Sequence, residues 1–217
     1  SIRLSRTTDA TRESGGLLLA AAEEVALSVD QVAGLQRVDA AELSALFRDP
    51  SGVVSAYRFV APEFELSATV NDLQPVVDAV VHHRFIVAPE QVMLDARIDA
   101  TIKRAGLFTL RFALPEGRRL ESVACDALQD WTESQWEGRR CLELTLRSRT
   151  LGEVQVNLRL IQPLEALPPE LDLVGVTPLA VQKLSDFILV TAEPGVGLKT
   201  ARFDRLTEIP PSALDQR

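Results

Sequence analysis

Residues 92–102 alternate between apolar and mostly polar side chains, with Met93 as the exception, and no other pattern in the chain constrains the fold as strongly. A period of two is typical of a β-strand, in which successive side chains point to opposite faces. One buried and one solvated face is the arrangement found in antiparallel sheets. The predicted buried positions are Val92, Leu94, Ala96, Ile98, Ala100 and Ile102.

Further short apolar or alternating runs, bounded by glycine, proline or charged residues, predict a series of strands. They cover residues 17–22, 25–29, 56–60, 64–70, 76–87, 107–114, 120–125, 140–146 and 153–160. We expect residues 17–22 and 25–29 to form a hairpin, and Arg104-Ala105-Gly106 to reverse the chain. Asp39 followed by Glu42 predicts the start of a short helix. The predicted fold is all-β, an antiparallel β-sandwich with one or two short helices and a partial second β unit at the C-terminus.

Two stretches near the ends of the chain match each other in sequence. Residues 17–23 align with residues 187–193, and after one extra residue Leu27, Leu35 and Leu43 fall on Leu198, Leu206 and Leu214. The match predicts one period of a tandem module followed by the start of the next. The alternative is that these are two unrelated strand-turn-strand units.

This repeat and the prolines together predict the domain organisation. Residues 1–52 would be an N-terminal β-hairpin unit with a short helix, and residues 53–162 the sandwich. Residues 163–170, which contain Pro163, Pro168 and Pro169, would be a linker, or alternatively a crossover along the edge of the sheet, because proline cannot continue a sheet interior. Residues 171–217 would begin the second copy, which either docks on its neighbour or completes the first sandwich.

The charge of the chain excludes some classes of partner. A formal net charge of −8 argues against nucleic-acid binding, which needs a basic surface. Arg118-Arg119 and Arg139-Arg140 are interpreted as solvated charges in turns. No run reaches the roughly 18 apolar residues of a membrane-spanning segment. Because the chain begins at Ser1, we interpret it as processed or excised, so a missing signal peptide does not indicate the cytoplasm.

No catalytic, cofactor-binding or metal-binding residue is predicted, and we expect the protein not to be an enzyme. His82 and His83 are adjacent in a predicted strand, so they point to opposite faces and cannot bind one metal ion together. A structural or surface role is the favoured interpretation. The sequence contains neither the nucleophile pattern G-x-S-x-G nor a phosphate-binding loop.

The most promising surface for a ligand or partner contains Trp131, Glu133, Gln135 and Trp136 at the end of a predicted hairpin. Indole rings beside polar groups are used to recognise sugars and proteins. If the two rings are exposed and coplanar, a carbohydrate-binding module is the alternative function. The competing interpretation is that one or both rings pack under the hairpin and close the end of the sandwich.

Cys125 and Cys141 flank a predicted hairpin and are a candidate disulfide, if their Cα atoms come within about 7 Å. Two packed thiols are the alternative.

Part of the chain resembles known proteins. Residues 107–115, residues 120–123, Trp131 and residues 152–156 are similar to segments of large bacterial proteins of unassigned function, which carry repeated β-sandwich modules in the cell envelope. Residues 107–123 also resemble the all-β N-terminal domain of zinc aminopeptidases. The HExxH metal-binding pattern of those enzymes does not occur in this sequence, so their activity is not implied.

These patterns together predict a non-catalytic structural or protein-interaction module of a bacterial envelope protein. Its partners would be neighbouring modules of the same polypeptide or another envelope protein, with a glycan as the alternative ligand. The resemblance implies a location in the cell envelope or on the periplasmic or extracellular side.

Overall fold

The computed structural model describes residues 13–22, 24–47, 51–61, 63–202 and 206–209. The chain divides into two compact units, Ser1–Gln74 and Pro75–Arg217. Nearly all regular structure is β, which confirms the predicted fold class. The described residues form twelve strands and one helix: β1 (Gly15–Ala20), β2 (Val25–Ala33), β3 (Gln36–Val38), α1 (Ala40–Ser44), β4 (Val53–Phe59), β5 (Glu65–Asp72), β6 (Val76–Val87), β7 (Gln91–Ala113), β8 (Arg119–Ala124), β9 (Leu128–Trp136), β10 (Arg139–Pro163), β11 (Thr177–Pro178) and β12 (Lys183–Ala192).

Where the structure describes the first unit, it forms two small antiparallel sheets, with strand orders β1-β4-β3 and β2-β5. The predicted hairpin between residues 17–22 and 25–29 is wrong, because β1 pairs with β4 and β2 with β5. The predicted helix is confirmed as α1. The carboxylate of Asp39 accepts a hydrogen bond of 2.8 Å from the amide of Ala41, and thereby caps the first turn.

The second unit is built around two long strands, β7 and β10, which pair with each other along most of their length. Residues 91–102 pair with residues 152–163, and residues 107–113 pair with the 141–150 part of β10. The register shifts between these parts, and Arg104 and Gly152 have positive φ angles of 69° and 95°. Both strands therefore change direction at these irregularities without a reversal of the chain. The predicted reversal at residues 104–106 is wrong.

This change of direction produces two layers that share β7 and β10. One layer has the order β12-β6-β7-β10-β8, and in the other β11 flanks β7 while β9 flanks β10. Buried side chains from both parts of the long strands belong to one hydrophobic core. They include Leu94 and Ile98 from one layer and Phe112 and Leu144 from the other. The unit is thus a β-sandwich whose layers face each other across this core.

The C-terminal residues 171–192 belong to the same unit. Leu171, Leu173 and Val176 pack in its core, and β12 pairs in parallel with β6. The division of the chain at residues 74 and 75 does not coincide with the predicted boundaries at 52 and at 163–170. Pro163 is the last residue of β10, and residues 171–192 extend the sandwich.

The two segments that match in sequence have different structures. Residues 17–20 lie in β1, antiparallel to β4, whereas residues 187–192 lie in β12, parallel to β6. The first segment continues into β2, but residues 196–202 form no strand. Leu214 lies outside the described residues. Over the described part of the chain, the sequence match does not correspond to a repeated structural unit.

Candidate functional site

The two tryptophans lie on opposite faces of β9. Trp131 pairs with Leu144, a core residue, and so lies on the face of the sheet that carries the core. Trp136 lies an odd number of residues away on the same strand, and the guanidinium carbon of Arg111 is 4.5 Å from its ring centroid. The rings are 40% and 43% exposed. They are accessible, but they do not share one face for stacking on a sugar.

The polar residues between the tryptophans are also separated in role. Glu133 forms an ion pair with Arg140, with 2.6 Å between its Oε2 and the Arg140 Nη2. Arg140 in turn donates to the backbone carbonyls of Pro115 and Arg118. Gln135 pairs with Arg140 in the strand ladder and is exposed. Glu133 and Gln135 thus lie on the same face of β9. Glu133 is bound to Arg140, whose guanidinium also bonds to two backbone carbonyls.

Cys125 and Cys141 are free thiols, so the candidate disulfide between them is wrong. Cys141 is opposite Ser134 and Ala113, whereas Cys125 follows β8, which pairs with a distant part of β10. Burial raises the pKa of the Cys141 thiol. Its position in the sheet is that of a small apolar residue.

The outer face of the five-stranded layer carries a polar depression with a volume of about 510 Å³. Its lining consists of His82, Arg84, Asp95, Ala96, Arg97, Ser122, Ala124, Asn157, Leu158 and Arg159. These side chains come from β6, β7, β10 and β8, and strand pairing sets them in rows. One row contains Arg84, Asp95, Arg159 and Ser122, and the next contains His82, Arg97, Asn157 and Ala124.

Most charges around the depression are paired. Arg159 Nε donates to Asp95 at 2.6 Å, and Arg97 Nε donates to Asp99 at 3.1 Å. Gln155 also donates to Asp99, at 2.8 Å. Arg84 is exposed and has no hydrogen-bond or ion-pair partner among the described residues. The carboxylates of Asp95 and Asp99 are therefore each bound to a different arginine, and the guanidinium of Arg84 is bound to neither of them.

The two histidines lie on opposite faces of β6, as predicted. His82 borders the depression and stacks on Phe187, with 5.2 Å between ring centroids. Burial lowers the pKa of His82, and the nearby charge of Arg97 adds to this effect. His83 is 2% exposed and lies within the sandwich. The alternation of Val77, Ala79, Val81, His83 and Phe85 could have placed it there from the sequence.

Two buried polar side chains bind residues 171–186 to the sandwich through hydrogen bonds. His83 bonds to the amide of Val176 and to the carboxylate of Asp186, each at 2.9 Å. Arg118 donates to the carbonyls of Val174 and Asp172 at 2.5 and 3.2 Å, and its guanidinium carbon lies 4.9 Å from the Phe85 ring centroid. Arg118 is 3% exposed, so its interpretation as a solvated turn residue is wrong. Burial lowers its pKa.

Within the described residues there is no group of three or more His, Cys, Asp and Glu side chains placed to hold a metal ion. The same part of the chain contains no helix that is both long and apolar enough to cross a membrane.

No protein-family model and no curated protein matches this chain. Solved structures with partial similarity include the M1 zinc metallopeptidase of Deinococcus radiodurans, at 16% identity and a TM-score of 0.38 over 61% of this chain and 37% of that one. A variant of that peptidase has 17% identity and a TM-score of 0.32, over 41% and 21% of the two chains. This chain thus spans well under half the length of the peptidase chains that it matches.

A non-cellulosomal cohesin from the archaeon Archaeoglobus fulgidus has 9% identity and a TM-score of 0.31, over 54% of this chain and 91% of that one. At these identities and TM-scores, neither a fold nor an activity of this protein follows from the similarities to the peptidase and the cohesin.

Proposed function

We propose that this chain is a non-catalytic module that binds another protein by strand addition at the open edge of β12. One observation carries the proposal. Among the described residues, this ten-residue strand pairs with β6 alone. Its second edge presents unpaired backbone N–H and C=O groups, which are a template for a strand of another polypeptide.

The composition of β12 supports this role. Edge strands are commonly protected by charged residues or proline. In β12 the charged residues are Lys183 and Asp186, and the carboxylate of Asp186 is held by His83. Leu184 and Val190 are 43% and 39% exposed. A partner strand would cover these apolar side chains and satisfy the backbone groups together.

The absence of catalysis is part of the proposal. The ring nitrogens of His83 are occupied by Asp186 and Val176, and the carboxylates of Asp95 and Asp99 are each bound to an arginine. A general acid or base needs a titratable group free to reach the reacting atom. These groups serve the fold or neutralise each other, which fits an interaction module.

We also propose that the module belongs to a longer protein of the bacterial cell envelope. This location rests on the resemblance of residues 107–115 and 152–156 to envelope-protein segments. Neighbouring modules of the same polypeptide, or another envelope protein, would supply the added strand.

A photo-crosslinking experiment in the native host tests the proposal. Benzoylphenylalanine replaces Leu184, and illumination should give a discrete adduct that fractionates with the envelope. The same substitution at Leu151, which is 50% exposed and lies in β10, is the matched position and should give no such adduct.

A backbone substitution then shows whether the edge itself binds. The amide of Glu193 donates to the carbonyl of Val87 in β6. Because alternate residues of a parallel strand face the same neighbour, the Val190 amide points to the open side. Val190→Pro should abolish the adduct while largely preserving the fold. Failure of Leu184 to crosslink, or an adduct that persists in Val190→Pro, would overturn the proposal.

A further inference from the structure

We infer that the depression on the outer face of the five-stranded layer binds a carboxylate side chain of an acidic polypeptide segment, with Arg84 as the primary contact. The inference names the chemistry of a partner and rests on the proposed role in protein binding. It concerns a different surface from the open edge of β12.

The charge balance of the depression carries the inference. Three guanidinium groups, from Arg84, Arg97 and Arg159, face two carboxylates. Asp95 lies between Arg84 and Arg159 in its row, but its carboxylate bonds to Arg159. Asp99 bonds to Arg97. One positive charge is therefore uncompensated within the described residues, at a planar group that binds carboxylates through two parallel hydrogen bonds.

The shape of the site suits a side chain presented by an extended segment. The depression spans four neighbouring strands, which corresponds to roughly 14 Å across the sheet. Its volume of about 510 Å³ falls within the range of ligand sites. Ser122 and Asn157 line it and supply a hydroxyl and an amide beside the arginines. Ser122 and Asn157 lie two to three strands from Arg84, so they would bond to a neighbouring residue of the same segment, while its carboxylate binds Arg84 without displacing either aspartate.

The overall charge distinguishes an acidic peptide from a nucleic acid. A net charge of −8 repels an extended polyanion at long range. A short segment that places one or two carboxylates in the depression meets only the local positive charge. The screening length at physiological salt is about 8 Å, so this local charge decides the contact.

Fluorescence anisotropy with a defined probe tests the inference. The probe is a fluorescein-labelled nine-residue serine peptide with glutamate at two positions, and its reference is the same peptide with glutamine in place of glutamate. At physiological salt the glutamate peptide should bind at least about tenfold more tightly than the glutamine peptide, and salt added beyond that should weaken the binding.

Three variants locate the contact. Arg84→Gln should weaken binding of the glutamate peptide about tenfold, the loss expected for a charge-assisted hydrogen bond. Arg139→Gln makes the same change of charge at an exposed hairpin position and should leave binding unchanged. Asp95→Asn should strengthen binding, because it releases the guanidinium of Arg159.

The outcomes separate this inference from the proposed function. Equal loss in Arg84→Gln and Arg139→Gln, or equal binding of the two peptides, would overturn it. Free N-acetylglutamate that binds as tightly as the peptide would also overturn the assignment to a polypeptide. Val190→Pro should leave peptide binding intact, so a failure at Arg84 and a failure at the β12 edge are distinguishable.

Discussion

The backbone amide of Val176 donates a hydrogen bond of 2.9 Å to Nε2 of His83, a residue 93 positions earlier in the chain. Because Nε2 accepts this bond, Nδ1 carries the proton and donates to Asp186 at 2.9 Å. The carbonyl of Val176 also lies 3.1 Å from Nε2, but that nitrogen is occupied as an acceptor. The imidazole of His83 thus joins β6 to residue 176 and to β12.

Gly175→Ala should destabilise the second unit. A Cβ atom at this position would overlap Cε1 of His83, whose ring is held on both sides by hydrogen bonds. We expect a loss of about 1–3 kcal/mol, as for overpacking of a core, in the free energy of unfolding measured with urea. Gly197→Ala is the control, since nothing lies within 4 Å of its added Cβ atom. Equal stability of the two variants would contradict the packing of Gly175 on His83.

Arg118→Met should reduce the free energy of unfolding by about 2–3 kcal/mol, because it leaves the carbonyls of Asp172 and Val174 without their charged donor. Arg119→Met is the matched control. Arg119 is exposed and pairs with Glu121 at the surface, so its loss should change stability by less than about 1 kcal/mol. The comparison is made by urea unfolding, and a larger loss in Arg119→Met would contradict the role given to Arg118.

His82 should make folding less favourable at low pH. Its folded-state pKa lies below the ordinary value, so between these two pKa values the unfolded chain binds more protons than the folded protein. The stability contributed by the neutral ring is present above the unfolded pKa of about 6.5 and is lost as the pH falls towards the lowered pKa. As the pH falls from 7.5 to 5, the free energy of unfolding of His82→Gln should therefore rise relative to that of the wild type. Urea unfolding at both pH values measures this change, and a relative loss at pH 5 would contradict the sign.

The thiols should differ in reactivity. Cys141 is 1% exposed and burial raises its pKa, so little thiolate is present and access is restricted. Cys125 is only partly buried. Iodoacetamide at pH 8 should modify Cys125 in the native protein well before Cys141, as peptide mass spectrometry would show. Both thiols should react after denaturation without a reductant, whereas a disulfide would protect both of them.

The alternation of side chains predicted the strands of the sandwich better than their connections. The pattern of residues 92–102 matches the buried face of β7 residue for residue. Arg104-Ala105-Gly106 has the composition of a turn, but its local bend leaves both parts of β7 paired with the same strand. The pairing of β12 with β6 joins residues far apart in the chain, and no local pattern indicates such a partner.

In the candidate sites too, the local sequence pattern predicted which face a side chain lies on, but not its contacts with distant parts of the chain. Alternation along β6 and β7 places His82, Arg84, Asp95 and Arg97 on one face, so part of the depression could be predicted from the sequence. The burial of Arg118 could not be, because it depends on the carbonyls of residues 172 and 174, which reach it only in the folded chain. Trp131 and Trp136 followed the rule that an odd separation in an unbroken strand gives opposite faces.

Because β7 and β10 run through both layers of the sandwich, their pairing register in one layer constrains their register in the other. A slip of β7 against β10 by one residue would turn buried side chains towards solvent. Since the same pair of strands continues into the other layer, the error would spread there unless the irregular stretch around Arg104 and Gly152 absorbed it. The irregular stretch therefore allows each layer to have its own pairing register, although the same two strands run through both layers.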